Sequence, residues 1–330
     1  MMTTRDQSTP GITIAATRGP FHRRFFAVFA VPLRLLSGRS RKQNGATVDA
    51  ANGDATRCLA IGCVFLLGAF GSVSGPAVAA TSGSVPTFDP ANFGEPASGA
   101  NRWLPLRSGY QSVRQGGVNR GHRRLTHRRV YTVTDVTKEI NGVRTVVVLD
   151  QDIDGNEIAE QALDYLAEDK QGNIWYLGSY TESYEGGQFV NATDAWLAGV
   201  RGGRAGILML AAPGVASPSY TQGYVPGEGA TTARVSKVGQ KKCVAFRCYA
   251  DVLLIVEGGE NVYYAPGVGA IKTEPRRAGG ENETEELVNL TQVSSAGLSE
   301  LSAETLKLDE HARKTSGRVF GPSAPAKRIG

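Results

Sequence analysis

Short runs of β-branched and aromatic residues recur along the middle of the chain: VYTVTDV (130–136), RTVVVL (144–149), IWYLGSY (174–180), VLLIV (252–256) and NVYYA (261–265). Such residues suit a pleated surface packed on at least one side. Between several of them stand Asn141-Gly142, Asp154-Gly155, Gly172-Asn173 and Gly186-Gly187, pairs of the kind that supply the positive φ of tight hairpins. Turn signals spaced by roughly 13 to 18 residues predict long antiparallel strands. EIAEQALDYLAED (157–169) has helical propensity, but its place between two turn signals predicts a strand, with Leu163, Tyr165 and Ala167 on one face. Adjacent aromatics, Trp175-Tyr176 and Tyr263-Tyr264, point to opposite faces. Both faces of the sheet then need cover. The expected fold is mainly β: an antiparallel meander over residues 102–295, curved into a half-barrel or open barrel.

The flanks read differently. LSELSAETLKLDEHARK (298–314) brings Leu298, Leu301, Leu308 and Ala312 near one helical face, interrupted by Thr305, and predicts a short C-terminal amphipathic helix. Residues 315–330 read as a disordered tail. On the other side, TSGSVPTFDPANFGEPASGA (81–100) has the composition of a flexible linker, assigned to 80–101. Before it, CLAIGCVFLLGAF (58–70) is an uncharged apolar run preceded by Arg57 and followed by Ala77-Val78-Ala79, a small-x-small cleavage pattern. The run falls short of the about 20 apolar residues of a membrane span. It reads as a signal peptide over 57–79, with lipidation at Cys63 the rival. Residues 1–56 are then a leader extension, or the numbered start lies too early. The protein is expected to be exported: periplasmic, cell-envelope or secreted.

Charge follows this division. Nine of the 36 Lys and Arg lie before residue 80, against three of the 31 acids, so 27 bases face 28 acids from there on, a net −1. The overall +5 therefore does not argue for nucleic acid, and no nucleic-acid module is recognisable. After the leader, Cys243 and Cys248 remain, in CVAFRC. In an exported protein they suggest a disulfide, with two separate buried thiols as the alternative.

The succession IWYLGSYTESYEGG, AWLAGVRGGRAGILM, SYTQGYVPGE and NVYYAPGVG resembles a family of uncharacterised exported bacterial proteins, over residues of roughly 100 to 290. The family usually follows its PGE motif with more acids, where this chain has Gly229-Ala230-Thr231-Thr232. The resemblance implies an exported β domain and imports no catalytic residue.

Candidate chemistry centres on DQDIDGNEIAEQ (150–161). Asp150, Asp152 and Asp154 alternate before Gly155, as in a calcium loop, but the twelfth position is Gln161 where a helix-loop-helix site needs a bidentate Glu. A non-helical calcium site on the three aspartates is one reading; an acidic hairpin tip is the other. RQGGVNRGHRRLTHRRV (114–130) gathers Arg114, Arg120, Arg123, Arg124, Arg128 and Arg129 with His122 and His127. It suits an anionic partner, or a solvated strand that balances acids elsewhere. GVRGGRAG (199–206) and PGVGAIKTE (266–274) lack the order of a phosphate-binding loop. The aromatics, Trp175, Tyr176, Tyr180, Tyr184, Trp196, Tyr220, Tyr224, Tyr263 and Tyr264, read as core or as the lining of a ligand cavity. No catalytic motif occurs. The expected function is a non-catalytic envelope or secreted module that binds an apolar or amphipathic ligand such as a lipid. The alternatives are a calcium-stabilised adhesion or interaction module and an uncharacterised hydrolase.

Overall fold

The computed structural model describes residues 85–96, 99–192, 194–277 and 282–329. The expected leader extension and signal peptide, and residues 80–84, 97 and 98 of the expected linker, lie outside them. The strands are β1 (Tyr110–Arg120), β2 (Arg123–Ile140), β3 (Val143–Asp154), β4 (Glu157–Glu168), β5 (Ile174–Glu185), β6 (Gln188–Asn191), β7 (Ala195–Leu197), β8 (Arg204–Met209), β9 (Tyr220–Val225), β10 (Gly229–Cys243), β11 (Cys248–Glu257), β12 (Glu260–Ala265), β13 (Gly269–Pro275), β14 (Thr284–Gln292) and β15 (Lys327–Arg328). Two helices, α1 (Ser295–Thr315) and α2 (Gly317–Phe320), precede β15.

Twelve of these strands close into one antiparallel barrel. The path runs β1-β14-β13-β12-β11-β10-β9-β8-β5-β4-β3-β2, and β2 pairs back onto β1. The open or half-barrel expected from the sequence is thus corrected to a closed one. Closure removes the unpaired sheet edges that an open barrel exposes. It happens at both flanks of β1, which pairs with β2 from Gln111↔Thr132 to Arg120↔Arg123 and with β14 from Tyr110↔Gln292 to Gly117↔Thr284. Gly116 permits the second pairing: a Cβ there would lie 1.8 Å from the backbone oxygen of Thr284. The β2–β3 hairpin turns at Asn141-Gly142, with φ of 49° and 78°, the left-handed pair that a tight hairpin demands.

Barrel width grows with strand number, and eight strands already leave an interior that side chains just fill. Twelve need longer side chains or a cover; this barrel has long charged side chains in its lumen and a segment bonded across one end. One end is covered by the segment before β1. There Asn101 donates to the carbonyls of Gly172 and Leu210 and accepts from the amides of Trp103 and Leu104. The amide of Gly267 donates to Arg102 O at 2.6 Å, and the Tyr110 hydroxyl to Val268 O at 2.6 Å. These bonds tie the segment to the β4–β5 and β12–β13 turns. The expected linker is also partly built in. Phe88 and Phe93 pack on Trp175 at centroid distances of 5.6 and 6.0 Å.

The outer face of β2–β5 is covered by the C-terminus. Ser294 caps α1 by accepting from the amide of Gly297, and Arg313 and Lys314 stand in the last turn, where the helix dipole favours cations. Thr305, expected to interrupt the apolar face, is buried within it and donates to Leu301 O at 2.9 Å. The tail expected to be disordered is ordered: α2 inserts fully buried Phe320 against Tyr165 and Tyr180, and β15 pairs with β2 through Lys327↔Thr137 and Arg328↔Val136. Lys138 and Asp309 form an ion pair of 2.8 Å beneath this cover, with side chains 0% and 3% exposed. No helix of the described residues is long and apolar enough to cross a membrane.

Candidate functional site

Strand periodicity sends alternate residues into the lumen. From β2 come His127, Arg129 and Tyr131, directly opposite Asp154, Asp152 and Asp150 of β3. The two conspicuous charged stretches of the sequence are therefore each other's partners. Arg129 donates through Nε to both oxygens of Asp150, at 3.0 and 2.9 Å, and again through a terminal nitrogen. Arg120 donates to Asp154, and the same carboxylate contacts His127 Nδ1 at 2.8 Å. Asp152 lies 3.8 Å from both His127 and Arg129. Arg123, Arg124, Arg128 and His122 of the same stretch are exposed. Of the two readings for these bases, the buried part balances acids, but inside the barrel and out of solvent.

The acidic hairpin itself turns through Gly155-Asn156, pairing Asp154 with Glu157 and, past a bulge, Asp152 with Glu160. Acid faces acid across the strands, which is unfavourable unless a counter-charge intervenes. Arg120, Arg129 and His127 are counter-charges already in place. Among the described residues no three His, Cys, Asp or Glu side chains are arranged to hold a metal ion.

Further along the lumen Arg114, of the basic stretch, meets acids that sequence reasoning missed. Arg114 stands across from Arg129 in the β1–β2 register, and its Nε lies 3.1 Å from Glu285 on β14. Glu257, 1% exposed, accepts from the Tyr264 hydroxyl at 2.6 Å and from Gln222 at 2.5 Å. Asp164 accepts on one oxygen from Tyr176 at 2.6 Å and Ser179 at 3.1 Å. A signal existed: Leu253, Ile255 and Glu257 share one strand face, so an acid ends an otherwise apolar inward row. Beside a Gly-Gly turn it reads as solvated.

Burial sets the protonation of this interior. It pushes Asp164 up to about 6, Glu257 to about 7 and Glu260 to about 9, with neighbouring acids adding to the rise at Asp164 and Glu260. It raises Asp152 also, against the pull of Arg129 and His127. Burial opposes charge on His127, yet Asp154, Glu283 and Asp152 outweigh it and hold the imidazole up at about 9. Glu285 moves the other way: burial penalises its charge, but Arg114, Arg129 and His127 keep its carboxyl below the usual range.

Between this ionic region and the capped end lies a cavity of about 70 Å³. Leu104, Leu166, Leu208 and Val262 line it together with Arg114, Arg129, Asp164, Glu257 and Glu285. Of the expected aromatics, Tyr176 and Tyr264 line it. Trp175, Tyr180 and Trp196 belong to the hydrophobic core. GVRGGRAG runs from a loop into β8, and PGVGAIKTE forms the β12–β13 turn. Away from the lumen, Cys243 and Cys248 face each other at the end of the β10–β11 hairpin and are joined as a disulfide. His311 Nδ1 lies 2.6 Å from Glu182 on the outer face.

These features define a closed antiparallel barrel whose lumen carries buried charged and titratable side chains beside a small amphipathic cavity. Comparison with protein-family models, curated proteins and solved structures finds no match.

Proposed function

We propose that the protein is an exported, non-catalytic module of the cell envelope, or a secreted one, whose barrel lumen holds a small amphipathic molecule. The observation that carries this reading is the mixed lining of the cavity, which combines aliphatic side chains with buried ionic ones. Ligand pockets typically pair an apolar wall with a few convergent polar groups in this way. Size narrows the class. A water-sized position needs roughly 10–15 Å³, so a cavity of about 70 Å³ has room for a molecule of a few heavy atoms. A lipid tail does not fit it. Support for export comes from the apolar run at 58–70, the Ala77-Val78-Ala79 pattern and the Cys243–Cys248 pairing, since disulfides persist chiefly outside the cytosol. The resemblance carried by the YYAPGVG and PGE motifs points the same way.

The test is native mass spectrometry of the protein expressed in bacteria and purified from its cell fraction without denaturant. The expected result is a chain starting near Ala80, recovered outside the cytoplasm, with a small mass excess lost on denaturation. A chain starting at Met1 in the cytoplasm would sink the export reading. A bare mass, with no response to small amphipathic molecules, would leave the barrel as a scaffold and sink the binding reading.

A further inference from the structure

We infer that the lumen selects a small cationic amphiphile, such as a protonated alkylamine, over neutral or anionic molecules of the same shape. This inference rests on the reading of the lumen as a binding cavity.

The first argument is the charge inventory. Four basic groups face the lumen, Arg114 and Arg120 from β1 and His127 and Arg129 from β2. Nine carboxylates face it: Asp150, Asp152 and Asp154 from β3, Glu160 and Asp164 from β4, Glu257 and Glu260 from β11 and β12, and Glu283 and Glu285 at β14. The bases are engaged: Arg129 by Asp150, Arg120 and His127 by Asp154, and Arg114 by Glu285. At the cavity itself Asp164 and Glu257 have hydrogen-bond donors but no basic partner of their own.

The second argument is independent of charge. Glu285, 3% exposed, lines the cavity, held among the described residues by the Arg114 ion pair at 3.1 Å and by the Thr273 side chain. The hydroxyl of Tyr131, also in the lining, is buried without a partner. Buried polar atoms left in this condition cost free energy, and a guest that supplies donors removes that cost. An ammonium group carries three donors and no acceptor, and its carbon stem suits the wall of Leu104, Leu166, Leu208 and Val262. An anion finds the reverse. It meets three carboxylates, and the two guanidiniums beside them, Arg114 and Arg129, are already paired with Glu285 and Asp150.

Linkage gives a second readout. Burial lifts the carboxyls of Asp164 and Glu257 to about 6 and about 7. A cation beside them favours their ionised forms, so binding expels protons and affinity rises with pH through that window. Asp152, Glu260 and His127 titrate nearby and add to the slope in the same sense, since each loses positive or gains negative charge as pH rises.

The experiment titrates the full-length protein with propylammonium, 1-propanol and propionate, following lumen resonances by NMR at pH 5 and pH 8. The amine stays protonated throughout, as a lysine does. Propylammonium is expected to bind at least tenfold more tightly than either other probe at pH 8, and at least tenfold more weakly at pH 5 than at pH 8. Asp164→Asn should reduce the pH dependence, leaving the share carried by Glu257 and its neighbours; the wild-type comparison of three probes stands if that variant fails to fold. Equal binding of 1-propanol would overturn the cation preference and leave the cavity reading intact. Tighter binding of propionate would assign the site to Arg114 and overturn it as well. Binding of none of the three would remove both readings.

Discussion

Asp309→Ala separates two accounts of how the C-terminus is held: a pinned cover, or a helix that lies loosely on the barrel. Asp309 accepts from Lys138 Nζ at 2.8 Å, from the Tyr165 hydroxyl at 3.4 Å and from the amide of Ala326 at 2.9 Å. Stripping one partner from a buried ion pair costs about 3–5 kcal/mol, because the other charge stays buried and unpaired. Lys138 has some relief. Its ammonium also donates to Ala324 O at 2.6 Å, and burial already draws its pKa down despite Asp309, so it can shed its proton. That places the expected loss near the lower figure, about 3 kcal/mol, or a fall in Tm of about 6–12 °C for a domain of this size. Urea unfolding followed by tryptophan fluorescence measures it, with limited proteolysis to show whether the tail is released first. The double variant Lys138→Met with Asp309→Leu replaces the pair by apolar groups of similar bulk and should come within about 1 kcal/mol of wild type. A single variant that costs under about 1 kcal/mol would refute the reasoning. So would a double variant as unstable as the single.

Two further outcomes follow from the lumen. The carboxyls of Glu257 and Glu260 and the imidazole of His127 all titrate higher folded than unfolded, so the folded state holds extra protons between about pH 4.5 and 9. Stability should therefore fall as pH rises through that range, by up to about 1.4 kcal/mol per pH unit for each group in its own window; a urea series in which stability is flat or rises from pH 5 to 9 would contradict this. For the acidic hairpin, Arg129, Arg120 and His127 already engage the aspartates, so millimolar calcium should leave Tm unchanged. A calcium-dependent rise that disappears in Asp152→Ala would instead place the ion there.

The strands were legible because period-two patterning and turn residues act over a few neighbours. Residues 157–169, helical by propensity, were recovered as β4 from their flanking turns alone. The tail was misread for the opposite reason. TSGRVFGPSAPAKRIG has one aromatic residue, and nothing local says that Phe320 fits between Tyr165 and Tyr180. Thr305 was misjudged likewise: its polarity is absorbed by a bond to its own helix, which frees the methyl side for burial. The lumen was half legible. The charged stretches at 114–130 and 150–154 stood out, but Glu257, Glu285 and Asp164 are single acids in unremarkable strands.

The sequence by itself determined the class of secondary structure, the hairpin order and the contrast between a basic N-terminal stretch and a near-neutral remainder, since each depends on composition or on contacts a few residues apart. Tertiary structure decided closure, because whether the first long strand meets the last depends on strand number, on tilt and on the space that Gly116 leaves for Thr284. It also decided what the charges mean. Asp150 and Arg129 are 21 residues apart and could each have faced water; only the register of β2 on β3, and the closing of ten more strands around them, made them a buried pair beside a cavity.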